Sequence, residues 1–204
     1  MKRIPVSLAV EGVLDEVVLR QLIEQSGPRF EVTACYGKRG KDHLRQNISR
    51  FNQAAVHKPF IILTDLDDED CPPGLISRWL PSGPHCNLIL RIAVREVESW
   101  LVADAERFAR FLGVGEARLP QWPDLIPDPK ADLVQLARRS RKRDIREDLI
   151  PASGSTSKVG RNYAGQLIQF ASGGWTADAA ACQRSPSLRK GLLSLRKFSP
   201  RIPA

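Results

Sequence analysis

Phe60-Ile61-Ile62-Leu63 is an unbroken apolar run that ends abruptly in Thr64-Asp65-Leu66-Asp67-Asp68-Glu69-Asp70. A short run without polar alternation suits a strand covered on both faces, and such strands belong to parallel sheets flanked by helices. The first segment repeats the pattern: Ile4 to Val10 is apolar and breaks at Glu11-Gly12. Between the two runs, Leu14 to Gln25 places Leu14, Val17, Val18, Leu22 and Ile23 on one helical stripe, and Gly27-Pro28 ends it. Phe30 to Tyr36 alternates as a second strand. A glycine-basic loop, Gly37-Lys38-Arg39-Gly40-Lys41, then leads into a polar helix from Asp42 to Ala55 with Leu44, Ile48 and Phe51 inward. Beyond the acidic loop, Cys71-Pro72-Pro73-Gly74 precedes a short helix, Leu75 to Leu80. Asn87 to Val94 reads as another buried strand and Arg95 to Leu112 as one long helix. Strands alternating with helices predict a mostly parallel α/β sheet with right-handed crossovers.

After Gly113 the character changes. Leu119 to Pro129 is rich in proline, Lys130 to Arg146 reads as a basic helix, and Gly154 to Gly160 is a Ser/Gly/Thr loop. Helices over residues 163–171, 176–182 and 187–197 complete the chain. The expected organisation is an α/β domain over residues 1–113 and a helical C-terminal extension over 114–204 that packs on it. The length of 204 residues suits that arrangement, and a 42% hydrophobic content suffices for a sizeable core.

The formal net charge of +8 favours polyanionic partners, nucleic acid among them. Cys35, Cys71, Cys86 and Cys182 form no C-x-x-C pair, and His43, His57 and His85 are scattered, which argues against structural zinc and for reduced thiols in the cytoplasm. Glu11 and Asp15 interrupt the apolar N-terminal stretch, which argues against a signal peptide. No run approaches the roughly 20 apolar residues of a membrane span.

Two acidic features fall just past strand ends, where open α/β sheets bind ligands. Glu11 follows the first strand, and Asp65 and Asp67 follow the third. Strand alternation would point Asp65 and Asp67 one way and Leu66 the other. If the first and third strands are neighbours, three carboxylates converge. Their repulsion, roughly 4 kcal/mol per pair at 4 Å and an effective dielectric of 20, calls for protonation or a cation. An all-oxygen set favours Mg2+ or Mn2+, which could polarise a phosphodiester and activate water. A solvated acidic turn fits Asp65-Leu66-Asp67 equally well. A calcium loop does not, since Asp70 and Ile76 stand where that loop needs glycine and glutamate. Glu96 is the candidate fourth acid, with Glu98 behind it; a buried helix start is the competing reading of this stretch.

Cations for developing charge could come from Lys38, Arg39 and Lys41, from Arg95, or from Lys158 in the late loop. The segment around Lys158 lacks the spacing of a nucleotide-binding P-loop. The densest basic run, Arg138, Arg139, Arg141, Lys142 and Arg143, could grip a nucleic-acid backbone or form a solvated helix face beside Asp144, Glu147 and Asp148. Trp79, Trp100, Trp122 and Trp175 suit core packing better than base stacking.

Val10-Glu11-Gly12 with Asp15-Glu16, followed by a strand and Asp65-Leu66-Asp67-Asp68, resembles a TOPRIM domain, the fold of topoisomerases, primases and the OLD (overcoming lysogenization defect) nucleases. Ile92 to Leu101, Asp128-Pro129-Lys130, Val159 to Tyr163 and Ser185 to Leu188 narrow the resemblance to a bacterial family of TOPRIM-like chains, often encoded beside an AAA/SMC-like ATPase and associated with phage defence. The resemblance implies a Mg2+-dependent nuclease with Glu11, Asp65 and Asp67 at its centre, acting as the effector of a partner ATPase. A TOPRIM-like module that docks on such an ATPase without catalysis, and a phosphatase, are the other readings.

Overall fold

The computed structural model of the chain describes residues 3–201. Four strands, β1 (Ile4–Val10), β2 (Phe30–Gly37), β3 (Phe60–Asp65) and β4 (Leu88–Ala93), form one all-parallel sheet in the order β2-β1-β3-β4. The crossovers run through α1 (Val13–Gln25), α2 (Lys41–Ala54) and α3 (Pro72–Trp79). Val10 stands in register with Gly37 on one side and Leu63 on the other, so the chain leaves β1, β2 and β3 along one rim.

Period two along each strand divides the side chains between two cores. Val6, Leu8 and Val10 of β1, Ile61 and Leu63 of β3, and Ile89 and Ala93 of β4 face α1 and the later helices. Ala9, Phe60, Ile62, Leu88, Leu90 and Ile92 face the other way, onto Leu44 and Ile48 of α2 and Leu75 and Trp79 of α3. All six residues of β3 are buried, as a strand covered on both faces requires.

The expected long helix from Arg95 to Leu112 is two helices, α4 (Val97–Ala103) and α5 (Ala105–Leu112). Asp104 breaks it at φ −77°, ψ 71°. Its buried carboxylate accepts from Thr176 N at 2.9 Å and Arg107 at 3.1 Å, a tertiary demand that outweighs one more turn of helix. The expected basic helix likewise divides into α6 (Pro129–Arg138) and α7 (Arg143–Leu149). Between them Ser140 bonds to Leu112 O and Lys142 N, and Arg141 N donates to Gly113 O at 3.1 Å, which pins the turn to the end of α5. The last three helices are α8 (Tyr163–Gly173), α9 (Ala179–Arg184) and α10 (Pro186–Lys197). α9 starts later than expected because Asp178 is its N-cap, accepting from Ala181 N at 3.0 Å.

These late helices share one core with the sheet: Leu133, Leu149, Leu167, Leu188 and Leu195 join the cluster that holds Leu8 and Ile61. Trp100 of α4 lies fully buried at the junction. Its Nε1 donates to Ser187 Oγ at 2.7 Å, and its carbonyl accepts from Trp175 Nε1 at 3.0 Å. Trp79 and Trp175 are also buried, whereas Trp122 is exposed. No helix among the described residues is long and apolar enough to cross a membrane.

Gly37 closes the rim. At φ 91° a Cβ there would lie 2.1 Å from Val10 O, whereas at Gly27, φ 116°, it would meet nothing within 4 Å. Gly37→Ala is therefore expected to destabilise the fold by more than about 2 kcal/mol and Gly27→Ala by about 1 kcal/mol, measured by denaturant unfolding. Equal losses would show that the β1–β2 contact is looser than described.

Candidate acidic site at the sheet rim

Glu11 is the first residue after β1, and Asp65 is the last of β3. Because the two strands pair directly, their ends bring the side chains together. Glu11 Oε1 accepts from the Thr64 hydroxyl and from Asp65 N at 3.0 Å. Asp65 continues the Ile61–Leu63 side of its strand, so its carboxylate turns toward α4. There Oδ1 accepts from Val97 N at 2.9 Å, satisfying a free amide at the helix start. Asp15, in the first turn of α1, reaches back to accept from Gly12 N at 2.9 Å through Oδ2. Its Oδ1 is buried and has no hydrogen-bond partner among the described residues.

A second group of acids adjoins the first. Glu96 precedes α4 and Glu98 lies in its first turn. Both face Lys130, near the start of α6, whose Nζ is 2.5 Å from Glu96 Oε1 and 3.6 Å from Glu98 Oε1. Glu98 is only 2% exposed and also accepts from the Tyr163 hydroxyl at 3.3 Å. Glu96 Oε2, like Asp15 Oδ1, is buried without a hydrogen-bond partner among the described residues.

The electrostatics follow from this crowding. Burial pushes the Asp65 carboxyl well above the usual range, and Asp15, Glu98 and Glu11 push it further. Burial also raises Asp15. It raises Glu11 too, against the lowering effect of the hydrogen bonds from Thr64 and Asp65. Burial lifts Glu98 to about 7 despite Lys130. For Lys130 itself, burial disfavours the ammonium, but Glu98 and Glu96 outweigh it and raise its pKa. Shifts in one direction at several neighbouring carboxyls are the mark of charges gathered for a ligand or a reaction more often than for stability.

The other expected site residues are distributed differently. Leu66 does turn away, into the core under α2 and α3. Asp67 does not follow Asp65 as strand alternation would have it. The strand ends at Asp65, and Asp67 adopts φ 51°, which turns its carboxylate onto Lys41 Nζ at 2.7 Å. Lys41 also donates to the carbonyls of Asp65 and Leu66 at 2.8 and 3.2 Å, so it clamps the acidic loop. Arg95 does the same from the other side, donating to Asp67 O at 2.9 Å and Glu69 O at 2.7 Å. Both cations thus bind this chain's own backbone.

Lys38 lies on the rim, with its amide on Val10 O, and its ammonium pairs with Glu16 at 3.0 Å. Arg39 beside it is exposed. Lys158 lies on the exposed loop between α7 and α8 and forms no ion pair with the acids among the described residues. Arg138, Arg139, Arg141, Lys142 and Arg143 are exposed around the turn after α6. That end of α6 is about 12 Å along the helix from Lys130. The run therefore stands apart from the acids.

Asp15, Lys130 and Tyr163 are functional candidates that motif reading left unassigned. Asp15 carried a signal, an acid at the third helical position directly after Glu11-Gly12. Lys130 and Tyr163 lie in segments that carry the family resemblance, but nothing in their spacing pointed to the acids, because only tertiary packing brings the starts of α6 and α8 to Glu98. Among the described residues no three His, Cys, Asp or Glu side chains are closed into a metal-holding group. Comparison of the chain with protein-family models, with curated proteins and with solved structures finds no match.

The Glu98 shift has a consequence for stability. The unfolded chain releases this proton near 4.5 and the folded chain near 7. The folded state therefore binds the extra proton between those values, and stability falls as pH rises through the window. At about 1.4 kcal/mol per tenfold change in proton affinity, Glu98 alone is expected to cost roughly 3 kcal/mol between pH 4.5 and pH 7.5. Urea unfolding in EDTA should show Glu98→Gln with a flatter profile than the wild type across this range. Parallel profiles would mean that folding leaves the proton affinity of Glu98 unchanged.

Proposed function

We propose that this chain is a divalent-metal-dependent phosphodiesterase acting on nucleic acid. The observation that carries the reading is the convergence of Glu11, Asp15 and Asp65 at the carboxyl-end rim of a parallel sheet, all three with raised proton affinity. Asp15 Oδ1 adds a buried oxygen without a donor. Such a set suits a hard cation, Mg2+ or Mn2+, in donor chemistry. Glu11, Asp15 and Asp65 would hold it, with Asp67 at the margin and Glu96 beyond. Each carboxylate now accepts from a local protein donor, so loading involves exchange of some of these hydrogen bonds. When bound, the ion supplies Lewis-acid polarisation of a phosphodiester and a more acidic water.

The surrounding residues support this chemistry by position. Lys41 and Arg95 hold the Asp65–Glu69 backbone from two sides, which fixes the loop that presents the acids. Lys130 pairs with Glu96 and Glu98 and only partly offsets Asp15 and Asp65, whose proton affinity stays raised. Lys38 and Arg39 lie at the same rim, where an incoming phosphate would meet them, and the net charge of +8 favours a polyanionic substrate. The resemblance to the bacterial TOPRIM-like family would add a partner ATPase and a role as its effector in phage defence.

One observation favours a second reading. Glu11, Asp65 and Asp67 each accept from a protein donor, as does one oxygen of Glu96, an arrangement that suits a module that binds a partner ATPase without catalysis.

Supercoiled DNA, single-stranded DNA and tRNA, each with Mg2+, Mn2+ or EDTA, separate the two. The nuclease is expected to cleave at least one substrate only with metal. Glu11→Gln and Asp65→Asn keep the accepting oxygens but should lower the rate by at least about 100-fold. Mg2+ should raise the melting temperature of the wild type and not of Asp65→Asn. Absence of both cleavage and thermal shift would support the docking module.

A further inference from the structure

A cavity of about 580 Å3 opens between α5, α7 and α8, away from the acidic rim. α8 joins the two regions: Tyr163 at its start touches Glu98, and Gly173 at its end lines the cavity, about 15 Å along the helix. The volume lies within the range of small-molecule sites.

Three cations, Arg107, Arg110 and Lys142, line it against one carboxylate, Asp144. They are not equivalent. Arg107 is already committed to Asp104 at 3.1 Å and Asp178 at 3.2 Å. Arg110 pairs with Glu106 at 2.7 Å, but both side chains are about 70% exposed, and such a helical pair holds its partner weakly. Lys142 Nζ donates to a carbonyl, Phe111 O at 3.0 Å, and to no carboxylate among the described residues, which leaves two of its hydrogens for a ligand. The turn that carries Lys142 is held by the Ser140 and Arg141 bonds to the end of α5, so the ammonium is presented on a fixed support.

Beside these cations the wall is aromatic. Phe111 is half-buried and leans on Phe170, with ring centroids 5.0 Å apart at 32°. Arg107, Arg110 and Phe111 share one face of α5, and Gln169 of α8 adds an exposed amide. A phosphate seat next to a ring and an amide matches the parts of a nucleotide.

We infer that this cavity is a nucleotide-binding site separate from the acidic centre, with phosphate on Arg110 and Lys142 and the base against Phe111. The nucleotide can be free or an unpaired unit of a strand; both present the same chemistry. The site does not depend on metal at the rim.

Calorimetry in EDTA with AMP, ATP and inorganic pyrophosphate, and anisotropy with a labelled twelve-residue oligothymidylate, test it. Wild-type binding of ATP or AMP identifies a free nucleotide, and binding of the oligonucleotide alone identifies a strand. In either case Arg110→Glu and Lys142→Gln should each weaken binding at least tenfold with an unchanged melting temperature. Phe111→Leu should weaken the nucleotide or oligonucleotide by severalfold and leave any pyrophosphate binding unchanged. No binding of AMP, ATP or oligonucleotide at millimolar concentration overturns the inference, as does binding indifferent to both charge variants. Pyrophosphate bound as tightly as ATP would overturn the assignment to a nucleotide.

Discussion

The pairing of β1 with β3 governs the rest of the molecule. It places the two most apolar segments side by side in the sheet, with α1 and the later helices on one face and α2 and α3 on the other. Parallel pairing makes every strand finish at the same rim. Whatever follows β1 and β3 is then brought within contact range. Here that is Glu11 and Asp65, and a hydrogen bond from the Asp65 amide to Glu11 closes the junction. Period two then turns Asp65 toward α4, so one carboxylate both ends a strand and starts a helix.

The rim is costly to assemble. Carboxyls are drawn out of water and set against one another, and a fold selected for stability alone would replace them with apolar side chains. The surrounding structure limits the cost in two ways. Backbone amides and Thr64 meet one oxygen of each acid, and Lys130 sits among those nearest α6. What remains is raised proton affinity at Glu11, Asp15, Asp65 and Glu98 and two buried carboxylate oxygens with no donor among the described residues. Local rules of burial are broken here while the core below obeys them, which is the usual relation between a site and its scaffold.

Two breaks in helices tie the C-terminal half to this scaffold. Asp104 exchanges helical continuity for bonds to Thr176, and Ser140 ties the α6–α7 turn to the end of α5. Both act over long sequence separation, and both place useful faces. The first lets α4 keep Glu98 and Trp100 inward. The second sets Lys142 beside the α5 face that carries Arg110 and Phe111.

Apolar runs, their period and the punctuation by glycine and proline were enough to determine the alternation of strands and helices, the parallel sheet, and the position of Glu11 and Asp65 past strand ends. Those features are local, depending on which neighbours in the chain are apolar and where it must turn. Neither helix break could be read this way, because the competing hydrogen bonds come from residues far along the chain. The same holds for the site. Asp67 turns to Lys41 because the loop leaves the strand at Asp65 and bends through a positive φ, which strand alternation does not anticipate. Lys130 and Tyr163 join Glu98 only because tertiary packing brings the first residues of α6 and α8 to α4. Spacing along one element carries no information about the approach of another, so the tertiary structure alone decided which charges meet.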